Sequence, residues 1–146
     1  MTGGSTLFNP TREQVRDFFF ETWRKFSSQA PLTALQAMAV EIINEHPEYH
    51  ALLSQRDRHV DRDYLPESGD LNPFLHMSMH LSIREQVSID QPAGVRAEHQ
   101  RLAISMGDVK AAEHAMMDCL GEMIWHAQRN RTAPDPGLYL ACLARK

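Results

Sequence analysis

His76 and His80 are the pair in this chain whose type and spacing could do chemistry. On a helix, residues four apart stand about 6 Å from each other on one face. Two imidazole nitrogens can then meet one ion, as HxxxH pairs do at zinc and iron sites. The seam continues at helical spacing as His76, His80, Ile83 and Val87. Phe74, Leu75, Met77, Met79 and Leu81 fill the other directions, so a helix over 72–88 reads as interior and both rings as buried. A buried imidazole needs a partner. The spacing leaves two answers open: a shared metal ion, or carboxylates and carbonyls of neighbouring helices.

A metal would need further ligands. His46 and His50 form a second pair at the same spacing around Pro47, and His46 continues the apolar row Leu35, Ala39, Ile42. Glu122 and His126 lie at the edge of the apolar face of a later helix. His76, His80, His50, His46 and Glu122 are therefore the candidate ligands for a divalent ion, zinc or iron. His99 shares a row with Val95, Leu102 and Met106, so it also turns inward. His114 and Asp118 project opposite Ala112, Met116, Cys119, Leu120 and Met123 and read as surface, and His59 sits among loop charges. Other chemistries find no support. The sequence has no GxSxG, no HExxH and no glycine-rich phosphate loop. No glutamate is followed by histidine three residues on, which a di-iron carboxylate bundle would require.

The elements that must position these side chains read as helices throughout. No sustained alternation argues for a strand. A short polar residue followed by proline recurs as a start signal at Asn9-Pro10, Asn72-Pro73 and Asp135-Pro136. The first helix is expected over 10–27, with Val15, Phe18, Phe19, Trp23 and Phe26 as a core stripe. Thr33 to Gln36 reads as a capping box opening a second helix, ended by Pro47, with a short helix over 47–55. Residues 56–71 read as a polar loop. Helices over 72–88, 92–106, 108–130 and 136–145 follow. The fold class is all-α: a single-domain bundle of about six helices over 1–146, with the helix 72–88 at its centre.

With 146 residues and ordinary hydrophobic content, the chain can bury a core without needing metal or disulfides. The net charge is −4 and the basic residues are dispersed, so nucleic acid is disfavoured as a partner. Cys119 and Cys142 lie at apolar helical positions and read as buried thiols. With no signal-peptide pattern and no bilayer-length apolar run, the expected location is a reducing cytoplasm. Two functions compete. One is a metal site in the helical core, with any reaction unassigned. The other is a non-enzymatic interaction module, self-associating or binding another protein. Its histidines would be structural, and Met77, Met79, Met116, Met117 and Met123 would lend adaptable contacts.

The run NPFLHMSMHLSIREQVSIDQPAGVR at 72–96 resembles the bacterial family catalogued as Domain of Unknown Function 1841. FNPTREQVRDFF near the start, EHPEYHALL at 45–53 and CLGEMIWHAQR at 119–129 are similar to segments of the same family. The resemblance spans almost the whole chain and implies a bacterial cytosolic protein. It brings no assigned activity, so no residue role comes with it.

Overall fold

The computed structural model describes residues 11–62, 64 and 72–146. Among these residues there are α-helices and one 3-10 turn, and no strand. The helices are α1 (Arg12–Ser27), α2 (Ala34–Asn44), α3 (His50–Leu53), α4 (Arg56–His59), α5 (Pro73–Ile89), α6 (Val95–Met106), α7 (Val109–Asn130) and α8 (Pro136–Arg145). The 3-10 turn is Pro47–Tyr49. The all-α class is as expected. The helix count exceeds six because α3 and α4 are single turns, one of them within the stretch read as loop. The start signal at Asn9-Pro10 and the rest of the proposed 56–71 loop, namely 63 and 65–71, lie outside the described residues.

The chain divides into two compact units, up to Ser78 and from Met79, and α5 begins in the first and ends in the second. In the first unit, Thr11 opens α1 with a capping box to Gln14, and Thr33 opens α2 with one to Gln36. Each box satisfies two backbone donors that a helix start would otherwise leave unpaired. The buried side chains include Phe19, Phe20, Val40, Ile42, Ile43, Leu53, Phe74 and Met77. The aromatic stripe of α1 is rotated from expectation. Phe20 is buried and Phe26 is 40% exposed, because Arg16 and Thr22 share the buried face with Phe19.

Arg16 is 2% exposed. Its Nη1 donates to the carbonyls of His59, Val60 and Arg62 at 3.1, 3.0 and 2.7 Å. The guanidinium carbon lies 4.8 Å from the centre of the Phe74 ring. A delocalised, planar cation tolerates this burial better than an ammonium would. It holds the chain leaving α4 against α1.

In the second unit, Ile83, Val95, Leu102, Ala112, Met116, Leu120, Tyr139 and Leu143 form the core. Helix α6 starts at Val95 rather than at residue 92, because Gly94 at φ 102° takes the left-handed conformation just before it. Asp90 Oδ1 accepts the backbone N–H groups of Gly94 and Arg96, fixing that corner. Cys119 and Cys142 are joined in a disulfide that ties α7 to α8, which corrects the reading of both as thiols. Helical periodicity turns both residues inward but does not show that they face one another. Such bonds persist in oxidising compartments and are rare in reducing ones, so the cysteines no longer point to a cytoplasm. Of the five methionines proposed as contact surface, Met77 and Met116 are wholly buried and Met79, Met117 and Met123 half-buried. No helix among the described residues is long and apolar enough to cross a membrane.

Candidate metal centre

Helix α5 carries the two histidines that opened the sequence reading. Asn72 Oδ1 accepts the N–H groups of Phe74 and Leu75 at 3.0 and 3.1 Å, and Pro73 occupies the first turn, where no donor is needed. That start fixes the helical phase. His80 is fully buried, as expected, whereas His76 is only half-buried. The two rings of the seam therefore differ in burial, although they stand one turn apart on the same helix.

In the first unit, His46 follows the last turn of α2. Pro47 disfavours helical backbone at the residue before it, and His46 leaves the helix with φ −127° and ψ 69°. Its ring folds back, and Nδ1 donates to the Ile42 carbonyl at 2.8 Å. Committing the proton to Nδ1 makes Nε2 the lone-pair nitrogen of the neutral ring. That Nε2 faces Nε2 of His76 at 3.1 Å, with the rings edge to face at 4.9 Å between centroids. His46 itself is 5% exposed.

His50 is placed differently. Its Nε2 donates to the Ile43 carbonyl at 3.0 Å, and its ring stacks on Trp23 at 4.5 Å. The His46 and His50 pair thus serves two carbonyls at the end of α2, a region where helices leave acceptors unmatched.

In the second unit, Glu113 is 2% exposed on α7. Its Oε1 accepts from His80 Nε2 at 2.7 Å and from Arg84 Nε at 3.2 Å, and its Oε2 accepts from His99 Nε2 at 2.9 Å. Burial alone would raise this carboxyl's pKa. The hydrogen bonds from His80 and His99 and the charge of Arg84 outweigh burial and bring it down to about 2. The carboxylate is therefore ionised, with the Arg84 cation to balance it. The His114 ring lies 5.3 Å from that of His80, while the residue stays exposed as its helical phase implied. Asp118 is also exposed. Glu122 is exposed, with Oε2 3.6 Å from the disulfide sulfur Sγ of Cys142. His126 packs against Trp125.

Of the five sequence candidates, the first unit brings His46 and His76 together, and α5 holds His76 and His80 one turn apart. His50 and Glu122 spend their polar atoms elsewhere. Sequence reasoning missed Glu113, although the signal was present: Glu113, Met116 and Leu120 follow one helical face. A charged residue on a buried face is the feature to notice. His114 was set aside because phase alone does not show that an exposed residue can lie beside a buried ring.

Over its described residues the molecule is thus all-helical, with His46 and His76 facing one another in the first unit and His80 joined to Glu113 in the second. The chain belongs to the family described as a domain of unknown function (DUF1841), with the match running over residues 11–145. No curated protein and no solved structure matches it.

Proposed function

We propose that this protein binds a divalent metal ion, zinc or iron, through the imidazoles gathered about α5. His76 and His80, one turn apart on α5, would be ligands, with His46 beside His76 as a further one. The observation that carries the reading is the approach of His46 Nε2 to His76 Nε2 at 3.1 Å, with His46 Nδ1 already committed to a carbonyl. With metal–nitrogen distances of about 2.0–2.1 Å, two ligands of a tetrahedral ion stand roughly 3.3 Å apart. A bound histidine ligand also normally gives its second N–H to a carbonyl or carboxylate, as His46 does. Helical spacing adds His80 one turn along from His76. An ion with one position left open to water would act as a Lewis acid.

The test is elemental analysis and zinc titration of the untagged full chain beside His76→Ala and His80→Ala. Near-stoichiometric binding in the wild type, lost in both variants, is expected. Metal uptake that the two substitutions leave unchanged would defeat the reading. The histidines would then be structural, and a non-enzymatic interaction module would be the function to pursue.

A further inference from the structure

We propose that Glu113 is a positioning residue of this metal site, setting its affinity through His80 without touching the ion. The inference rests on the metal-binding reading above. Its ground is the way the second unit arranges hydrogen bonds around one buried carboxylate.

His80 gives Nε2–H to Glu113 Oε1 at 2.7 Å. In the neutral ring the lone pair then belongs to Nδ1, so the carboxylate selects which nitrogen of His80 is able to ligate. A carboxylate behind an imidazole also raises its basicity and fixes its rotation, and loss of such a partner typically weakens metal binding 10–100-fold. Glu113 suits this role because it is itself immobilised. His99 on α6 holds Oε2 at 2.9 Å, and Arg84, one turn beyond His80 on α5, reaches Oε1 at 3.2 Å. Both carboxylate oxygens are thus occupied, and the side chain is 3% exposed. Arg84 also sets a cation beside the carboxylate, an ion pair that holds it in place behind His80.

A buried glutamate, histidine and arginine could also form a purely structural knot. Cobalt(II) separates the two roles, because its absorption reports ligand strength as well as occupancy. The full chain would be titrated with cobalt(II) as wild type, Glu113→Gln and His99→Gln, with folding checked by circular dichroism. Glu113→Gln keeps an acceptor oxygen but loses the charge. It is expected to bind 10–100-fold more weakly, with a shifted absorption maximum. His99→Gln is expected to give a smaller loss in the same direction, and it serves alone if Glu113→Gln fails to fold. A folded variant with wild-type affinity and spectrum would overturn the proposal. If the wild type takes up no cobalt or zinc, the metal-binding reading itself has failed, an outcome distinct from a binding wild type matched by its variants.

Discussion

Glu113 Oε1 lies 2.7 Å from Nε2 of His80, and neither side chain is more than 3% exposed. A carboxylate this far from water survives only through its partners, and that dependence has a pH signature. Its pKa is brought from an ordinary 4.5 to about 2 in the folded chain. A depressed carboxyl contributes stability above its unfolded pKa and loses it as pH falls toward the folded one. The contribution is on the order of 3 kcal/mol, lost between about pH 5 and 2. Urea unfolding across that range should show it, and Glu113→Gln should be less stable near neutrality with a flatter acid limb. Parallel profiles for the two proteins would show that the carboxylate does not carry the acid sensitivity.

Capping gives a second prediction on the first unit. Thr33 Oγ1 accepts the N–H of Gln36 at 3.1 Å, and Gln36 Oε1 accepts the N–H of Thr33 at 3.0 Å. Thr33→Ala removes one half of this reciprocal pair and should cost about 1 kcal/mol. Thr33→Ser should cost much less, since it keeps the oxygen. Equal losses for the two, measured by thermal unfolding, would point to the threonine methyl instead.

These two sites also mark how far sequence reasoning reaches. The Thr33 box could be read from four residues, because capping is local chemistry. Helix α8 kept its expected bounds for the same reason, with Asp135 accepting from Gly137 and Pro136 in the first turn. Helical phase likewise turned His46 and His80 inward. Phase says which way a side chain points and not what it meets. The contacts of His46 with His76, of His80 with Glu113 and of Cys119 with Cys142 join residues 30, 33 and 23 positions apart. None has a local signature. The stripe on α1 failed for a related reason. Hydrophobicity ranked Phe26 above Arg16, whereas three carbonyl acceptors made the guanidinium the better buried group.

Arg16 supplies the third prediction. Its Nη1 serves the carbonyls of His59, Val60 and Arg62 together, and its face lies on Phe74. Lysine keeps the charge but has neither the fork nor the planar face. Arg16→Lys should therefore destabilise the chain by about 2 kcal/mol, in the range for losing hydrogen bonds to a charged group. Protease cleavage near residues 59–62 should quicken in the same variant. A stable Arg16→Lys with unchanged cleavage would show that charge alone is enough.

The Cys119–Cys142 disulfide closes a loop of 23 residues in sequence separation. Constraining an unfolded loop of that length is worth about 3 kcal/mol in the chain-entropy account. Reduction, or Cys142→Ala, should lower the denaturation midpoint correspondingly. The bond should be seen directly as a mass about 2 Da below that of the reduced chain. Equal midpoints with and without reductant would show that the tie between α7 and α8 adds nothing that the apolar core does not already supply.

Tyr139 tests that core from the alkaline side. The residue is 1% exposed, and its hydroxyl donates to Gln86 Oε1 at 2.7 Å. Burial raises the phenol's pKa well above its ordinary 10, because the phenolate would have to lie out of water. An acid whose folded pKa is raised contributes stability below its unfolded pKa and loses it as pH climbs past that value. Ultraviolet titration should therefore show Tyr139 failing to ionise near pH 10 until the second unit opens. Tyr139→Phe should remove this late step and cost about 1 kcal/mol at neutral pH, for the lost bond to Gln86. If ionisation of all three tyrosines were complete at pH 11 in a chain still folded by circular dichroism, the packing of α8 on this core would be looser than its contacts require.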